Sequence, residues 1–187
     1  PVNGSIVENS LIQNTCNEFK PDIIINLAAY PRVSLVEQYP VLATEGMIQG
    51  LINTLNYNVK KYIHVSSSNV YGSYQDDATE ESRLSPINLY GSLKVAQERL
   101  IQANCRNVGS NYIILRPMCV FGNYDLGDRL VPKFITQAIK NQEIFYATDT
   151  VTNITYIDDM VQAMKLAIES DVVDETFNVS SGVMTDV

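Results

Sequence analysis

Tyr90-Gly91-Ser92-Leu93-Lys94 sets a phenol and an ammonium four residues apart. On a helix those positions share a face. A cation beside a phenol favours the phenolate and draws its pKa down from about 10. A tyrosine tuned in this way can give or take a proton at an alcohol or ketone. The pair alone carries little weight, because Tyr57 and Lys61 repeat the spacing. An interfacial tyrosine with a solvated lysine is the plain alternative for either pair.

What separates the two pairs is the chain before them. Lys61-Tyr62-Ile63-His64-Val65 is short and apolar and predicts a strand. Ser66-Ser67-Ser68-Asn69-Val70-Tyr71-Gly72 leaves it as a polar loop, with Ser67 23 residues ahead of Tyr90. Parallel sheets build their sites at the carboxyl ends of strands. Tyr57 has no such serine before it. Three strand ends should converge: Leu27-Ala28-Ala29, Ser66-Ser67-Ser68 and Arg116-Pro117.

The surrounding pattern supplies the elements. Leu11, Ile12, Cys16 and Phe19 mark one helical face, closed by Lys20-Pro21. Asp22 to Leu27 is a nearly continuous apolar run and predicts a buried strand. Ile48, Leu51, Ile52 and Leu55 recur at helical spacing, and so do Leu89, Leu93, Ala96, Leu100 and Ala103 up to Gly109. Tyr112-Ile113-Ile114-Leu115 reads as a third strand, stopped by Arg116-Pro117. Leu130 to Ile139 is amphipathic. Thr155-Tyr156-Ile157 reads as a short strand, with Asp158 capping a helix that carries Met160, Val161, Met164, Ala167 and Ile168; Thr176 to Val179 is the last strand. Strands alternating with helices predict an α/β protein with a mainly parallel sheet.

Composition narrows the function classes. The 187 residues carry 13 Lys+Arg against 21 Asp+Glu, a net charge of −8, which argues against a nucleic-acid footprint. No run reaches 18 apolar residues, so no membrane span is expected. Pro1-Val2-Asn3-Gly4 does not read as an export signal, and three scattered cysteines suit a reducing cytoplasm, the expected location. Cys16, Cys105, Cys119 and a single histidine, His64, have no metal-ligand spacing, so no metal is expected. His64 lies inside a strand and reads as a core residue. That place argues against a Ser-His-Asp hydrolase, and GxSxG is absent. No GxGxxG can be built from the nine glycines.

In order along the chain, Asp22–Ala29, Ser66–Gly72, Tyr90 with Lys94, Arg116–Gly122, Val131–Phe134, Tyr156–Asp159 and Phe177–Gly182 resemble successive landmarks of the extended short-chain dehydrogenase/reductases, the NAD-dependent epimerase/dehydratase family. The resemblance implies a partial Rossmann-like, doubly wound parallel sheet that lacks its first strands and Gly-rich turn, with part of a smaller substrate lobe. Residues 1–120 would be the partial NAD(P)-binding domain, 121–150 a lobe segment, 151–182 the return to the Rossmann domain, and 183–187 the start of the truncated C-terminal lobe. The missing glycines are thus expected to reflect truncation.

The resemblance also implies roles. Tyr90 would move a proton at a sugar hydroxyl or keto oxygen, and Lys94 would hold the nicotinamide ribose and lower the Tyr90 pKa. Ser67 would hydrogen-bond the same substrate oxygen. Leu27, Ala28, Ala29, Ser66, Tyr90, Lys94, Pro117 and Met118 would contact NAD or NADP. Ser67, Ser68, Cys119 and Lys133 would contact a nucleotide-sugar-like substrate. The equivalent helices of the family, here 41–57 and 89–107, would pair two subunits into a homodimer. The expected activity is an NAD(P)-dependent epimerase or ketoreductase; a non-catalytic sensing or scaffolding relative is the alternative.

Departures sharpen that expectation. Positions where the family carries nucleotide- or cofactor-contacting residues hold Ser5, Ala43, Cys119 and Thr152. Losing an Arg at 152 removes a bidentate phosphate clamp, for which Arg129 or Lys133 could substitute. The acid and base that dehydratases place after the residue equivalent to Ser67 are Ser68 and Asn69 here. That favours epimerisation or ketone reduction over elimination of water.

Overall fold

The computed structural model describes residues 1–73, 78–125, 129–144, 151–182 and 184–186, with 151, 152 and 184–186 as backbone only. Four parallel strands form the main sheet in the order β1 (Ile23–Asn26), β2 (Lys61–Val65), β3 (Asn111–Pro117), β6 (Glu175–Val179). A smaller sheet joins β4 (Cys119–Phe121) in parallel to β5 (Val151–Tyr156), and β5 antiparallel to β7 (Met184–Asp186).

Alternation along β2 decides what packs where. Tyr62 faces Leu51, Leu55, Ile101 and Cys105 beneath α4 (Gly50–Leu55) and α5 (Leu89–Val108). Ile63 faces the other way, with Ile113, Leu115, Val179 and Met160 against α7 (Ile157–Glu169). Both faces of the sheet are therefore covered, as a parallel sheet requires. Truncating a fully buried residue such as Leu51 to Ala costs about 2–5 kcal/mol.

Helix boundaries follow local chemistry. Asn88 caps α5, its Oδ1 accepting from Gly91 N at 2.8 Å, and Gly109 closes that helix at φ 72°. Lys20 takes a left-handed conformation, φ 48°, to end α1 (Asn9–Phe19) before Pro21. Lys61 Nζ reaches the last carbonyls of α7, Ala167 O at 3.1 Å and Ser170 O at 2.6 Å. A cation there complements the helix dipole. This is the role of the second Tyr/Lys pair: Lys61 is on a strand, so it shares no helical face with Tyr57.

Several expectations need correction. The Asp22–Leu27 run, expected to be buried, is the outer strand of the main sheet among the described residues, with Ile25 40% and Leu27 60% exposed. Phe19 lies outside the buried face of α1 at 81% exposure, leaving Cys16 to make the contact. Arg116-Pro117 does not stop β3, which pairs through Pro117 with Val179. Met118 N donates to Val179 O, so the side of Pro117 that lacks an N–H faces away from β6, where β2 has already ended. The helix expected over 41–57 is α3 (Pro40–Thr44), a π-helical turn (Glu45–Gln49) and α4 in succession. The strand expected at 155–157 is the end of β5, and Ile157 already belongs to α7. Tyr156 is the cap residue, without a side-chain bond, while Asp158 and Asp159 sit in the first turn. Of the lobe segment expected over 121–150, residues 126–128 and 145–150 lie outside the described residues, as do 183 and 187 of the segment expected over 183–187. No helix among the described residues is long and apolar enough to cross a membrane.

Candidate active site

A cleft of about 410 Å³ opens at the carboxyl ends of β1, β2 and β3. β1 brings Leu27 and Ala29 to it, β2 brings Ser66, Ser67 and Ser68, α5 brings Tyr90 and Lys94, and the β3–β4 junction brings Pro117, Met118 and Cys119. Two expected residues do not line it. Ala28 turns away, its N–H tied to Asn26 Oδ1 at 3.0 Å. Lys133 is exposed on α6 (Leu130–Ile139). Arg129 lines the cleft instead. As the extended cap residue of α6 it does not follow the helical spacing that would set it beside Lys133.

Lys94 is buried and donates to Val65 O at 2.8 Å. One of its three protons is thereby used and two remain available. Burial lowers its pKa to about 8, against the pull of Glu98. Its ammonium lies 5.9 Å from the Tyr90 ring centroid. Burial raises the Tyr90 phenol above its ordinary value, while the Ser67 hydroxyl and the Arg129 guanidinium favour the phenolate. The expectation that Lys94 draws the phenol down is therefore corrected: burial wins, and the nearby groups that oppose it are Ser67 and Arg129. Arg129 itself pairs with Asp125 at 3.6 Å.

The serine turn is tightly organised. Ser67 Oγ accepts from Asn69 N at 3.2 Å and from Asn69 Nδ2 at 3.1 Å, opening a 3₁₀ turn over Ser68–Tyr71. Behind it runs a buried polar network. Ser66 Oγ donates to Glu98, and Arg116 meets both Glu98 oxygens, Nε–Oε1 at 3.0 Å and Nη2–Oε2 at 2.7 Å. Arg116 Nη1 also donates to Tyr71 Oη at 2.8 Å, and Tyr71 Oη donates to Asn178 Oδ1 at 2.7 Å. Tyr71 thus belongs to the support of the site and does not line the cleft.

Sequence reasoning passed over Glu98, and read Asn69 only as a position without a carboxylate. Glu98 lies four residues beyond Lys94 and eight beyond Tyr90, on the same buried stripe of α5. An acid on an otherwise buried face was the signal available. Cys119 is a half-buried free thiol whose pKa burial raises. Ala43 is fully buried against Met47 and Leu93.

A group with a ribose and a flat ring fits these residues. Lys94 offers two uncommitted protons, Ala29 and the serines leave the strand ends uncrowded, and Pro117 and Met118 present apolar surface.

The chain is 30% identical over 196 residues to the dTDP-D-glucose 4,6-dehydratase of Dictyostelium discoideum, covering 95% of this chain and 45% of that protein. The UDP-glucose 4-epimerase of Thermotoga maritima, solved with UDP-glucose, superimposes with a TM-score of 0.92 at 26% identity, over 99% of this chain and 63% of that one. The UDP-glucuronic acid 4-epimerase of Bacillus cereus, solved with UDP-glucuronic acid and NAD, shares the fold with a TM-score of 0.88 at 23% identity, over 100% of this chain and 61% of that one. The chain thus spans less than half the length of the Dictyostelium discoideum relative. The profile of the NAD dependent epimerase/dehydratase family matches residues 1–180, and the chain belongs to that family.

Proposed function

We propose that this chain carries the catalytic cleft of an NAD-dependent enzyme acting on a nucleotide sugar, as an epimerase or ketoreductase. The observation that carries the reading is the composition of the cleft. Ser67, Tyr90 and Lys94 meet there with two arginines, Arg32 and Arg129, and among the described lining residues there is no carboxylate. Three cations in a chain of net charge −8 suit a ligand with a diphosphate.

Bound NAD would supply hydride acceptance and return. Every other duty falls to the chain. Lys94, anchored on Val65 O, would hold the nicotinamide ribose through its free protons. Pro117 and Met118 would bound the ring, and Leu27, Ala29 and Ser66 would face the cofactor's backbone. Tyr90 Oη would take the proton of a sugar hydroxyl, or return one to a keto oxygen. Ser67 would hold that same oxygen. Ser68 and Cys119 would border the sugar, and Arg129 would meet phosphate.

Relatives include dehydratases as well as epimerases. Elimination of water needs an acid and a base at the sugar, and Ser68 and Asn69 provide neither. This supports hydride chemistry without loss of water. Assembly as a homodimer through α3–α4 and α5 belongs to the same reading, supported by Val41 and Leu42, which stand exposed on α3.

The test is turnover of UDP- and dTDP-sugars with NAD, and of their 4-keto forms with NADH, by the natural full-length protein, followed by absorbance at 340 nm and by product NMR. An epimerised product without net NADH, or stoichiometric NADH consumption by a keto sugar, is expected. Release of water from the sugar would overturn the reading in favour of dehydration. Cofactor binding with no turnover across the panel would overturn it in favour of a sensing role.

A further inference from the structure

Ser67 Oγ has one proton and two lone pairs, and both lone pairs face donors of a single residue. The Asn69 backbone N–H lies 3.2 Å away and the Asn69 side-chain amide 3.1 Å away. The hydroxyl is left with only its proton to offer. The Tyr90 phenol lines the same cleft, and the Ser67 hydroxyl favours its ionised form.

The orientation of the Asn69 amide follows from a backbone donor that has no ambiguity. Gly91 N–H must donate, and it donates to Asn88 Oδ1 at 2.8 Å. Asn88 therefore turns its Nδ2 toward Asn69, where Oδ1 accepts it at 3.4 Å. Asn69 then has only its Nδ2 to turn toward Ser67. The relay runs from the cap of α5 through two amides to the serine. Gly91 lets the two elements close on each other: a Cβ at this position would lie 2.5 Å from Asn69 O.

We propose that Asn69 is a positioning residue that sets the polarity of Ser67, holding its hydroxyl as a donor toward the Tyr90 phenol oxygen and the substrate oxygen beside it. The inference rests on the reading that Tyr90 moves the proton. A serine fixed as a donor stabilises negative charge on either oxygen without reorganising during the reaction. A residue at position 69 that accepts would reverse this. The same position thus favours hydride transfer here through a neutral donor, with no charge of its own.

The other charged groups around Tyr90 define the background. Lys94 and Glu98 come from its own helix, with Glu98 committed to Arg116. Arg129, paired with Asp125, faces it from the start of α6, and Arg32 lines the same cleft. His64 lies on β2 within the field of Lys94.

The experiment compares Asn69→Asp and Asn69→Ala in the natural full-length protein, each alone and in a Ser67→Ala background. Two readouts are taken. The first is the tyrosinate absorbance that disappears in the matching Tyr90→Phe variant, read as a difference between the two. The second is kcat and KM. Asn69→Asp draws the serine proton to itself, so Tyr90 should titrate at higher pH and kcat should fall about tenfold to a hundredfold with KM little changed. Asn69→Ala, which keeps the backbone donor, should show a smaller loss in the same direction. In the Ser67→Ala background the Asn69→Ala effect should vanish, whereas an influence that bypasses Ser67 would persist there and overturn the proposal. Parental titration and kcat in Asn69→Asp would also overturn it. If Asn69→Asp does not fold, the Asn69→Ala/Ser67→Ala cycle decides alone. The titration needs no turnover, so a Tyr90 titration that responds to Asn69 in a protein inactive on every sugar would sink the functional reading and leave this one standing.

Discussion

Glu98 and Arg116 face each other through two parallel hydrogen bonds, 3.0 and 2.7 Å long, with their side chains 0% and 5% exposed. One residue is on the helix that carries Tyr90 and Lys94, and the other is on β3 where it reaches the cleft. Ser66 donates to the same carboxylate from the end of β2. The pair therefore ties together the three elements that position the site. Removing one member leaves a buried charge without its partner, which costs about 3–5 kcal/mol. Urea denaturation of Glu98→Gln should show a loss of that size, together with lost turnover. A loss under 1 kcal/mol would mean the pair does not hold the site together.

Gly91 separates close approach from backbone strain. A Cβ there meets a backbone carbonyl, Asn69 O, at 2.5 Å, so α5 must shift away from the serine turn. Gly91→Ala should cut kcat by tenfold or more by moving Tyr90 off Ser67, since misplacements of about 1 Å cost up to about 10²-fold. Gly109→Ala meets nothing within 4 Å but sits at φ 72°. It should cost about 1 kcal/mol of stability and leave kcat unchanged. Steady-state kinetics of the two variants side by side check the contrast.

Lys61 and Lys94 are both buried lysines bonded to carbonyl oxygen, with different duties. Lys61→Met removes two charge-assisted bonds to the end of α7 and should lower stability by about 2–3 kcal/mol while kcat holds in the folded protein. Lys94→Met should weaken NAD binding and lower kcat. Equal kinetic damage from both would refute this division.

His64 is the single histidine, fully buried, and neither ring nitrogen has a hydrogen bond of good geometry. Burial, reinforced by Lys94, holds its pKa well below the ordinary value, despite a slight opposing influence from the Asn26 backbone. The unfolded chain therefore binds a proton below about pH 6.5 that the folded protein refuses. The sign follows: stability is full above that pH and falls as pH drops below it. His64→Leu should remove this part of the acid sensitivity. Urea midpoints of parent and variant at pH 7 and pH 5 give the comparison, and an identical drop in both would exclude His64 as the cause.

Much of the frame was legible along the chain. β2 and α5 fall where their residues predict them, because Lys61–Val65 is apolar and compact and α5 carries both a cap and a glycine stop. What escaped depended on neighbours in space. Arg116-Pro117 reads as a stop because a proline breaks a ladder, yet only one side of β3 is paired at that point. Lys133 and Arg129 are equivalent by charge, and the extended backbone at 129 is what decides between them. Asn69 is an ordinary loop polar residue until its two donors are seen on one oxygen.

The central claim is that Tyr90 exchanges the proton while hydride moves. The most direct measurement is kcat of Tyr90→Phe in the natural full-length protein, beside Tyr57→Phe and with NAD affinity measured on the same samples. The account predicts a loss of about 10²–10⁴-fold for Tyr90→Phe with folding intact, and parental turnover for Tyr57→Phe. Parental turnover by Tyr90→Phe, or its loss in Tyr57→Phe, would contradict it.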